Sequence, residues 1–195
     1  KYDGVICSDD EFTKKVLSKA KKLKVISKWG SGIDSIDLNF AKKNKIKIYN
    51  SPGAFTGGVA QFVIGIMLGL TRKISINDSS VKNGQWEKFQ GVNIENKKIG
   101  IIGLGNIGAR LVKYLKGFNV KLHGNDKEKN IRNKFQKKGV KIQSLSKIFS
   151  LCDIIIICVD LNKSSYHLIK SNHLMKLNKD KILINVSRGP VVDND

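Results

Sequence analysis

The stretch KKIGIIGLGNIGARLVKYL (97–115) limits the folds open to this chain more than any other part of the sequence. An apolar, β-branched run leads directly into GLGNIG (103–108), and an amphipathic helical pattern follows. This order fits G-x-G-x-x-G between a strand and a helix, where backbone N–H groups and the positive end of the helix meet a pyrophosphate. The three glycines allow the tight turn, the approach of the phosphates and the packing of helix on strand. The predicted dinucleotide-binding residues are Gly103, Gly105, Asn106, Ile107 and Gly108.

An acidic residue is expected about 20 positions farther on, at the end of the next strand. Asp126 stands there, directly after the strand pattern VKLHGN. Its carboxylate would accept hydrogen bonds from the hydroxyls of the adenosine ribose and repel a 2′-phosphate, so the sequence predicts NAD rather than NADP. Lys127, beside it, weakens that preference. A flavin or a methyl donor on the same fold is the alternative, and neither has a distinct mark in this sequence.

Short β-branched runs alternate with helical patterns along most of the chain, which is typical of βαβ units on a parallel sheet. The first series has strands at 4–7, 24–27 and 46–49 and helices at 11–22 and 35–44. A helix at 57–74 is apolar nearly all round, so we expect it to be buried between domains or subunits. We predict a partial substrate domain over 1–74, a connecting segment over 75–97 and a nucleotide-binding domain over 98–195.

Basic residues dominate the charge of the chain. There are 36 lysines and arginines against 16 acids, with a net charge of +20 and a pI near 9.9. Only four of the basic residues are arginine, and aromatic residues make up 7% of the chain. Proteins that read nucleic acids favour arginine for bidentate base contacts and aromatic side chains for stacking. The composition therefore indicates lysine-covered helix faces with weak attraction to polyanions, and it predicts no specific nucleic-acid partner.

The cysteines and the hydropathy of the chain indicate its cellular compartment. Cys7, Cys152 and Cys158 are odd in number and show no CxxC spacing, and two of them lie in or beside an apolar strand pattern. Buried thiols of this kind are typical of a reducing compartment, so we expect a cytoplasmic protein without a disulfide or a metal site. No apolar run approaches the roughly 18 residues that span a bilayer, and residues 1–12 lack the pattern of a signal peptide, so no membrane association is expected.

Six segments together carry a resemblance to a known family. They are KWGSGIDSIDL (28–38), NSPGAFTGGVAQ (50–61), NGQW (83–86), IGIIGLGNIG (99–108), the strand end at Asp126, and INVSRGPVVD (184–193). In this order they resemble the D-isomer-specific 2-hydroxyacid dehydrogenases, a family that includes D-3-phosphoglycerate dehydrogenase and glyoxylate/hydroxypyruvate reductase. The resemblance implies an α/β protein, with a Rossmann-type parallel-sheet nucleotide-binding domain and part of a flavodoxin-like α/β substrate domain. It also implies NAD as cofactor and hydride transfer between the nicotinamide and C2 of a small 2-hydroxy or 2-oxo acid.

The same resemblance assigns residues to the substrate. Ser31 and Gly32 match the positions that contact its carboxylate, and a glycine-bearing turn can aim successive N–H groups at an anion. Arg188 matches the catalytic arginine, whose guanidinium can hold the carboxylate and polarise the C2 carbonyl. Phosphoglycerate enzymes favour arginines for the distal phosphate where this chain has Ser8 and Lys28. Lys28 remains a candidate for substrate binding, whereas Ser8 carries no charge. The resemblance also implies that the nicotinamide side of the site is lined by Val159, Val186, Ser187 and Arg188.

The family's general acid/base histidine and its glutamate partner lie downstream of the VVD segment. We therefore expect the sequence as given to be inactive by itself, since its three histidines, His123, His167 and His173, fall in strand or helix patterns on the nucleotide lobe and do not substitute. The chain departs from the family pattern at Gln61, Cys158 and Asp160, where Glu, His and Pro are usual. The apolar helix at 57–74 and the usual oligomeric state of the family predict a homodimer. A non-enzymatic NAD-sensing corepressor of the same fold is the alternative function.

Overall fold

The computed structural model of this chain describes residues 2–193, and the chain divides into two compact units, Lys1–Phe55 and Thr56–Asp195. Parallel sheets in both units confirm the predicted α/β class. The division falls at Phe55 rather than at the predicted residue 74, because the apolar helix packs within the second unit.

The first unit is built on a three-stranded parallel sheet. Its strands β1 (Gly4–Cys7), β2 (Val25–Lys28) and β3 (Lys47–Tyr49) lie in the order β1-β2-β3. The connecting helices are α1 (Lys14–Lys19) and α2 (Leu38–Lys43). Both helices begin three residues later than predicted, where Thr13 and Asp37 cap their N-termini through side-chain oxygens, and both also end earlier than predicted. A small apolar core, with Leu17, Ile26 and Ala41 at its centre, lies between sheet and helices.

The second unit holds a five-stranded parallel sheet in the order β6-β5-β4-β7-β8. Its strands are β4 (Lys98–Ile102), β5 (Lys121–Asn125), β6 (Lys141–Ile142), β7 (Ile154–Ile157) and β8 (Ile182–Asn185). Its helices are α3 (Thr56–Thr71), α4 (Ile74–Lys82), α5 (Asn106–Leu115), α6 (Lys129–Gln136), α7 (Leu145–Leu151) and α8 (Ser171–Leu174). Strands β5 and β6, which follow β4 in the sequence, lie on one side of β4 in the sheet, and β7 and β8 lie on its other side. The order of strands therefore reverses at β4, and a crevice at such a point is where ligands bind in open α/β sheets.

The helix predicted at 57–74 is α3, which ends at Thr71, three residues earlier than predicted. A second helix, α4, begins at Ile74, and between the two helices Lys73 has a left-handed backbone with φ +54°. Behind the break, the N–H of Val92 donates to the carbonyl of Thr71 (2.7 Å), a bond that helps to end α3 and that no local pattern reveals. The predicted polar connection at 75–97 accordingly begins as helix α4. Ala60, Val63 and Met67 of α3 are fully buried in the main core, together with Leu111 of α5.

Within residues 2–193, no single helix has both the length and the apolar composition needed to cross a membrane. Together α3 and α4 reach that length and composition, but as a pair bent by 65°.

Candidate functional site

The glycine-rich turn joins β4 to α5 at the carboxyl edge of the five-stranded sheet. Gly103 has φ +93°, and a Cβ there would lie 2.8 Å from the carbonyl oxygen of Cys158. A Cβ on Gly108 would lie 2.0 Å from the carbonyl oxygen of Gly103, so helix and strand meet too closely for any side chain. Gly105 differs, because its added Cβ would meet nothing within 4 Å and its N–H donates to no atom of residues 2–193. The turn therefore presents an open surface and an available N–H donor at Gly105.

Asp126, at the end of β5, is tied to this turn by its carboxylate. One oxygen accepts from the N–H of Leu104 (2.8 Å), and the other accepts from the N–H of Glu128 (2.9 Å). A carboxylate has about four acceptor positions, so room remains for the hydroxyls of a ribose. Arg132 of α6 donates to the carbonyls of Asp126 (2.6 Å) and Lys127 (2.7 Å). Sequence reasoning missed these two bonds of Arg132, since this residue lies six positions after Asp126 and no motif marks it.

Cys158 closes the other side of the turn. Its thiol donates to the carbonyl of Gly103 (3.0 Å), the oxygen against which Gly108 packs. Burial, followed by the nearby carboxylates of Asp126 and Asp160, raises the pKa of the Cys158 thiol to about 12. The group therefore stays a neutral hydrogen-bond donor. Val159 packs beside the turn, since its Cγ1 would lie 2.9 Å from a Cβ on Gly103.

Arg188 follows β8, and the side chain of Asn185 shapes the segment that carries it. The amide oxygen of Asn185 accepts from the N–H of Ser187 (3.0 Å), and its amide nitrogen donates to the carbonyl of Arg188 (3.0 Å). Val186 continues the strand pairing by donating its N–H to Ile157 (3.0 Å). One guanidinium nitrogen of Arg188 donates to the carbonyl of Ser187 (3.0 Å). Sequence reasoning missed Asn185, although its place at the strand end next to VSR was a usable signal.

A cavity of about 350 Å³ opens beside Arg188. Val59 and Phe62 of α3 form one wall, and residues 185–189 form the other. The hydroxyl of Ser187 is buried here and has no hydrogen-bond partner within residues 2–193. The predicted residues Val186, Ser187 and Arg188 thus share one cavity, and the structure adds Val59 and Phe62, which only the tertiary fold brings to it.

The predicted substrate residues of the first unit lie where β2 ends. The backbone N–H groups of Ser31 and Gly32 donate to no atom in the described part of the chain, while Asn50 donates to the Ser31 carbonyl (2.7 Å) and fixes the turn. Lys28 is only 4% exposed. Its ammonium lies 3.3 Å from the hydroxyl of Ser35 and 3.7 Å from a carboxylate oxygen of Asp9. The turn therefore offers free amide donors, whereas the ammonium of Lys28 is already engaged.

The three histidines all make contacts within the fold. His123 is buried in β5, where burial and then Lys141 and Lys98 lower its pKa. His173 of α8 accepts from the N–H of Lys170 (3.1 Å). The prediction that His167 lies in a strand or helix is wrong: it lies in a turn with φ +51°, and its Nδ1 is 3.3 Å from a carboxylate oxygen of Asp193. Their exclusion from catalysis stays a prediction, and the acid/base pair expected downstream falls outside the described residues.

The residues at the carboxyl edge fit a dinucleotide. Open space at Gly105 leaves room for a pyrophosphate next to the N-terminus of α5, where the first amides of a helix have no acceptor within it. Asp126 is fixed at the end of the neighbouring strand with acceptor capacity to spare. Among residues 2–193 there is no group of three or more His, Cys, Asp or Glu side chains placed to hold a metal ion.

Comparisons with known proteins agree with this arrangement. Residues 64–195 match the profile of the D-isomer specific 2-hydroxyacid dehydrogenase, NAD binding domain. The chain is 36% identical over 200 residues to glyoxylate reductase of Thermofilum pendens, covering 99% of this chain and 59% of that protein. It is 33% identical over 196 residues to D-3-phosphoglycerate dehydrogenase of Archaeoglobus fulgidus, covering 99% of this chain and 37% of that protein.

A solved structure shows the same fold. D-lactate dehydrogenase from Aquifex aeolicus, complexed with NAD and lactic acid, matches with a TM-score of 0.87 at 28% identity, over 99% of this chain and 59% of that one. The chain therefore spans about three fifths or less of each of these relatives. It belongs to the D-isomer specific 2-hydroxyacid dehydrogenase family, and residues 64–195 form its NAD-binding domain.

Proposed function

We propose that the whole protein is an NAD-dependent oxidoreductase that interconverts a small 2-oxo acid and the corresponding 2-hydroxy acid. The observation that carries this proposal is the placement of Arg188. Its backbone is held by Asn185, and it borders a cavity of about 350 Å³ at the carboxyl edge of the sheet that also bears the glycine-rich turn.

Each part of the site has a chemical role in this proposal. When bound, NAD supplies or accepts the hydride at C2 of the substrate. Gly105 and the first turn of α5 hold the pyrophosphate, and Asp126 binds the adenosine ribose. The Arg188 guanidinium donates to the carbonyl oxygen, on which negative charge develops during reduction. In the first unit, the N–H groups of Ser31 and Gly32 have no acceptor within residues 2–193, and such a nest of amides suits a carboxylate.

A spectrophotometric assay tests the proposal. The full-length protein is mixed with NADH and, in turn, with glyoxylate, hydroxypyruvate and phosphohydroxypyruvate, and absorbance at the NADH wavelength is followed. We expect oxidation of NADH with at least one of these acids. Absence of turnover with all of them, in a protein that binds NADH, would contradict the proposal. The corepressor alternative gains no support from the relatives, which bear the names of reductases and dehydrogenases.

Two further properties are part of the proposal. Exposed apolar side chains on α3 and α4, including Leu70, Ile74 and Val81, support a homodimer in the whole protein, which sedimentation of the full-length chain would measure. The three cysteines are free thiols, which supports a cytoplasmic location.

A further inference from the structure

The loops at the carboxyl edge of the small sheet are acidic in an otherwise basic chain. Three loops leave this edge, at 8–13, 29–37 and 50–55, and they contain no lysine or arginine. Their five acids are Asp9, Asp10, Glu11, Asp34 and Asp37. The nearest lysines that follow the first loop, Lys14 and Lys15, lie exposed on α1. The predicted carboxylate-binding turn therefore lies at an edge whose loops are negatively charged.

The acids of the first loop already occupy the donors around them. Asp10 accepts from the N–H of Ser8 (3.2 Å), which removes one amide that an incoming anion would use. Asp9 is 96% exposed and lies 3.7 Å from the Lys28 ammonium, between that cation and solvent. Any anionic group that approached Lys28 from this loop would meet a carboxylate first.

Lys28 itself lies beneath the turn and not at its surface. It is 4% exposed, and its ammonium is shared between Ser35 and Asp9. Its stem passes under Gly30, where an added Cβ would lie 3.6 Å from Cε of Lys28. A buried cation whose stem lies against this turn strengthens the attraction of the turn for one carboxylate. This geometry makes Lys28 a support for the turn.

We propose that the substrate is a small 2-oxo acid without a phosphate group, and that Lys28 is a positioning residue of its carboxylate site. The inference rests on the proposed function. A distal phosphate carries nearly two negative charges and is usually held by exposed arginine or lysine donors. The loops at this edge carry five acids and no lysine or arginine, so they disfavour a second anionic group there.

The test compares two substrates that differ only by the phosphate. For the full-length protein with NADH, we expect kcat/KM for hydroxypyruvate to exceed that for 3-phosphohydroxypyruvate by about 100-fold, since like charges brought together at a binding site cost several kcal/mol. A preference for the phosphorylated acid would overturn this inference and leave the proposed function standing. Turnover of neither compound, nor of any other 2-oxo acid, would instead reject the proposed function and this inference with it.

Charge-removing variants test the acidic loop directly. In Asp9→Asn/Asp10→Asn, kcat/KM for 3-phosphohydroxypyruvate should rise about threefold to tenfold, because repulsion of the phosphate decreases. Asp3→Asn is the control for each of the two single substitutions, Asp9→Asn and Asp10→Asn, since it removes one charge from an acid that precedes β1 and pairs with Lys24 at 2.8 Å. Equal effects of the loop variant and the control on the ratio of the two substrates would contradict the role of the loop.

Lys28→Met separates support of the turn from direct contact with phosphate. If Lys28 acts through the turn, KM should rise by a similar factor for both substrates, with kcat less affected. A loss confined to 3-phosphohydroxypyruvate would show direct phosphate contact and overturn the assignment. Should this variant fold poorly, the comparison of the two substrates on the unaltered protein still decides the substrate class.

Discussion

At the scale of single residues, the backbone that carries Arg188 is held by a neighbour without charge. The amide group of Asn185 bonds to the backbone at Ser187 and at Arg188, so the segment leaving β8 is held in one shape. The buried hydroxyl of Ser187 and the apolar wall of Val59 and Phe62 lie around it. A backbone held in this way limits the positions from which the guanidinium can donate to a substrate oxygen, and oriented donors are the condition for efficient electrostatic catalysis.

We predict that Arg188→Ala lowers kcat of the full-length enzyme by about 100-fold or more, because removal of one oriented donor to the developing charge has an effect of that size. Steady-state kinetics with NADH and the preferred 2-oxo acid measure this change. Arg110→Ala is the matched control, since that arginine lies exposed on α5 with its guanidinium 6.0 Å from the ring centre of Tyr114. Equal losses of kcat in the two variants would show that Arg188 has no specific role in catalysis.

At the scale of elements, the turn between β4 and α5 uses its glycines in different ways. Gly108 lies where the helix touches the strand end, and a Cβ there would be 2.0 Å from the carbonyl of Gly103. Gly105 lies on the open side, where a Cβ would meet nothing within 4 Å. The same substitution at the two positions therefore separates folding from cofactor binding.

Gly105→Ala should leave the melting temperature nearly unchanged but weaken NADH binding by about tenfold or more, because the methyl group occupies the space of the pyrophosphate. Gly108→Ala should lower the free energy of unfolding by about 3 kcal/mol, the range of strongly overpacked sites. Thermal melts and fluorescence titrations with NADH measure both properties. Normal NADH affinity in a stable Gly105→Ala protein would show that the phosphates bind elsewhere.

The sequence predicted the strands and the glycine-rich turn better than the breaks between helices. Patterns around Gly103 and Asp126 are local and strongly constrained, and both residues lie at strand ends of the predicted sheet. Thr71, the last residue of α3, accepts a bond from Val92, about twenty residues away, and no local period shows where α3 ends. Strand β6 has two residues and helix α8 has four, too few for a repeating pattern of apolar residues to be recognised in the sequence. Val59 and Phe62 reach the cavity only through the packing of α3.

At the scale of the whole molecule, buried thiols link stability to alkaline pH. Burial raises the pKa of Cys152 to about 11 and that of Cys158 to about 12, above the value of 9.0 for a free thiol. Because the folded state favours the protonated form, this stabilisation is complete below pH 9 and is lost as the pH rises from 9 toward 11 and 12.

We therefore predict that the free energy of unfolding falls between pH 8 and pH 10, and that Cys152→Ala makes this fall smaller by about 1 kcal/mol. Urea unfolding at the two pH values measures the difference. The alanine variant starts from a lower stability because it leaves a small cavity, so the comparison is of slopes with pH within each protein. Parallel slopes for the two proteins would show that the Cys152 thiol does not contribute.

The two bonds that Asp126 makes to backbone amides have a consequence for how cofactor preference can evolve. The carboxylate proposed to choose between NAD and NADP also holds the N–H of Leu104 inside the glycine-rich turn. A lineage that exchanged this acid for a neutral residue would loosen the turn at the same moment as it admitted the extra phosphate. A change to NADP therefore lowers the stability of the turn unless another group first accepts the hydrogen bond of the Leu104 N–H. We expect substitutions of Asp126 during evolution to be accompanied by a second, compensating substitution.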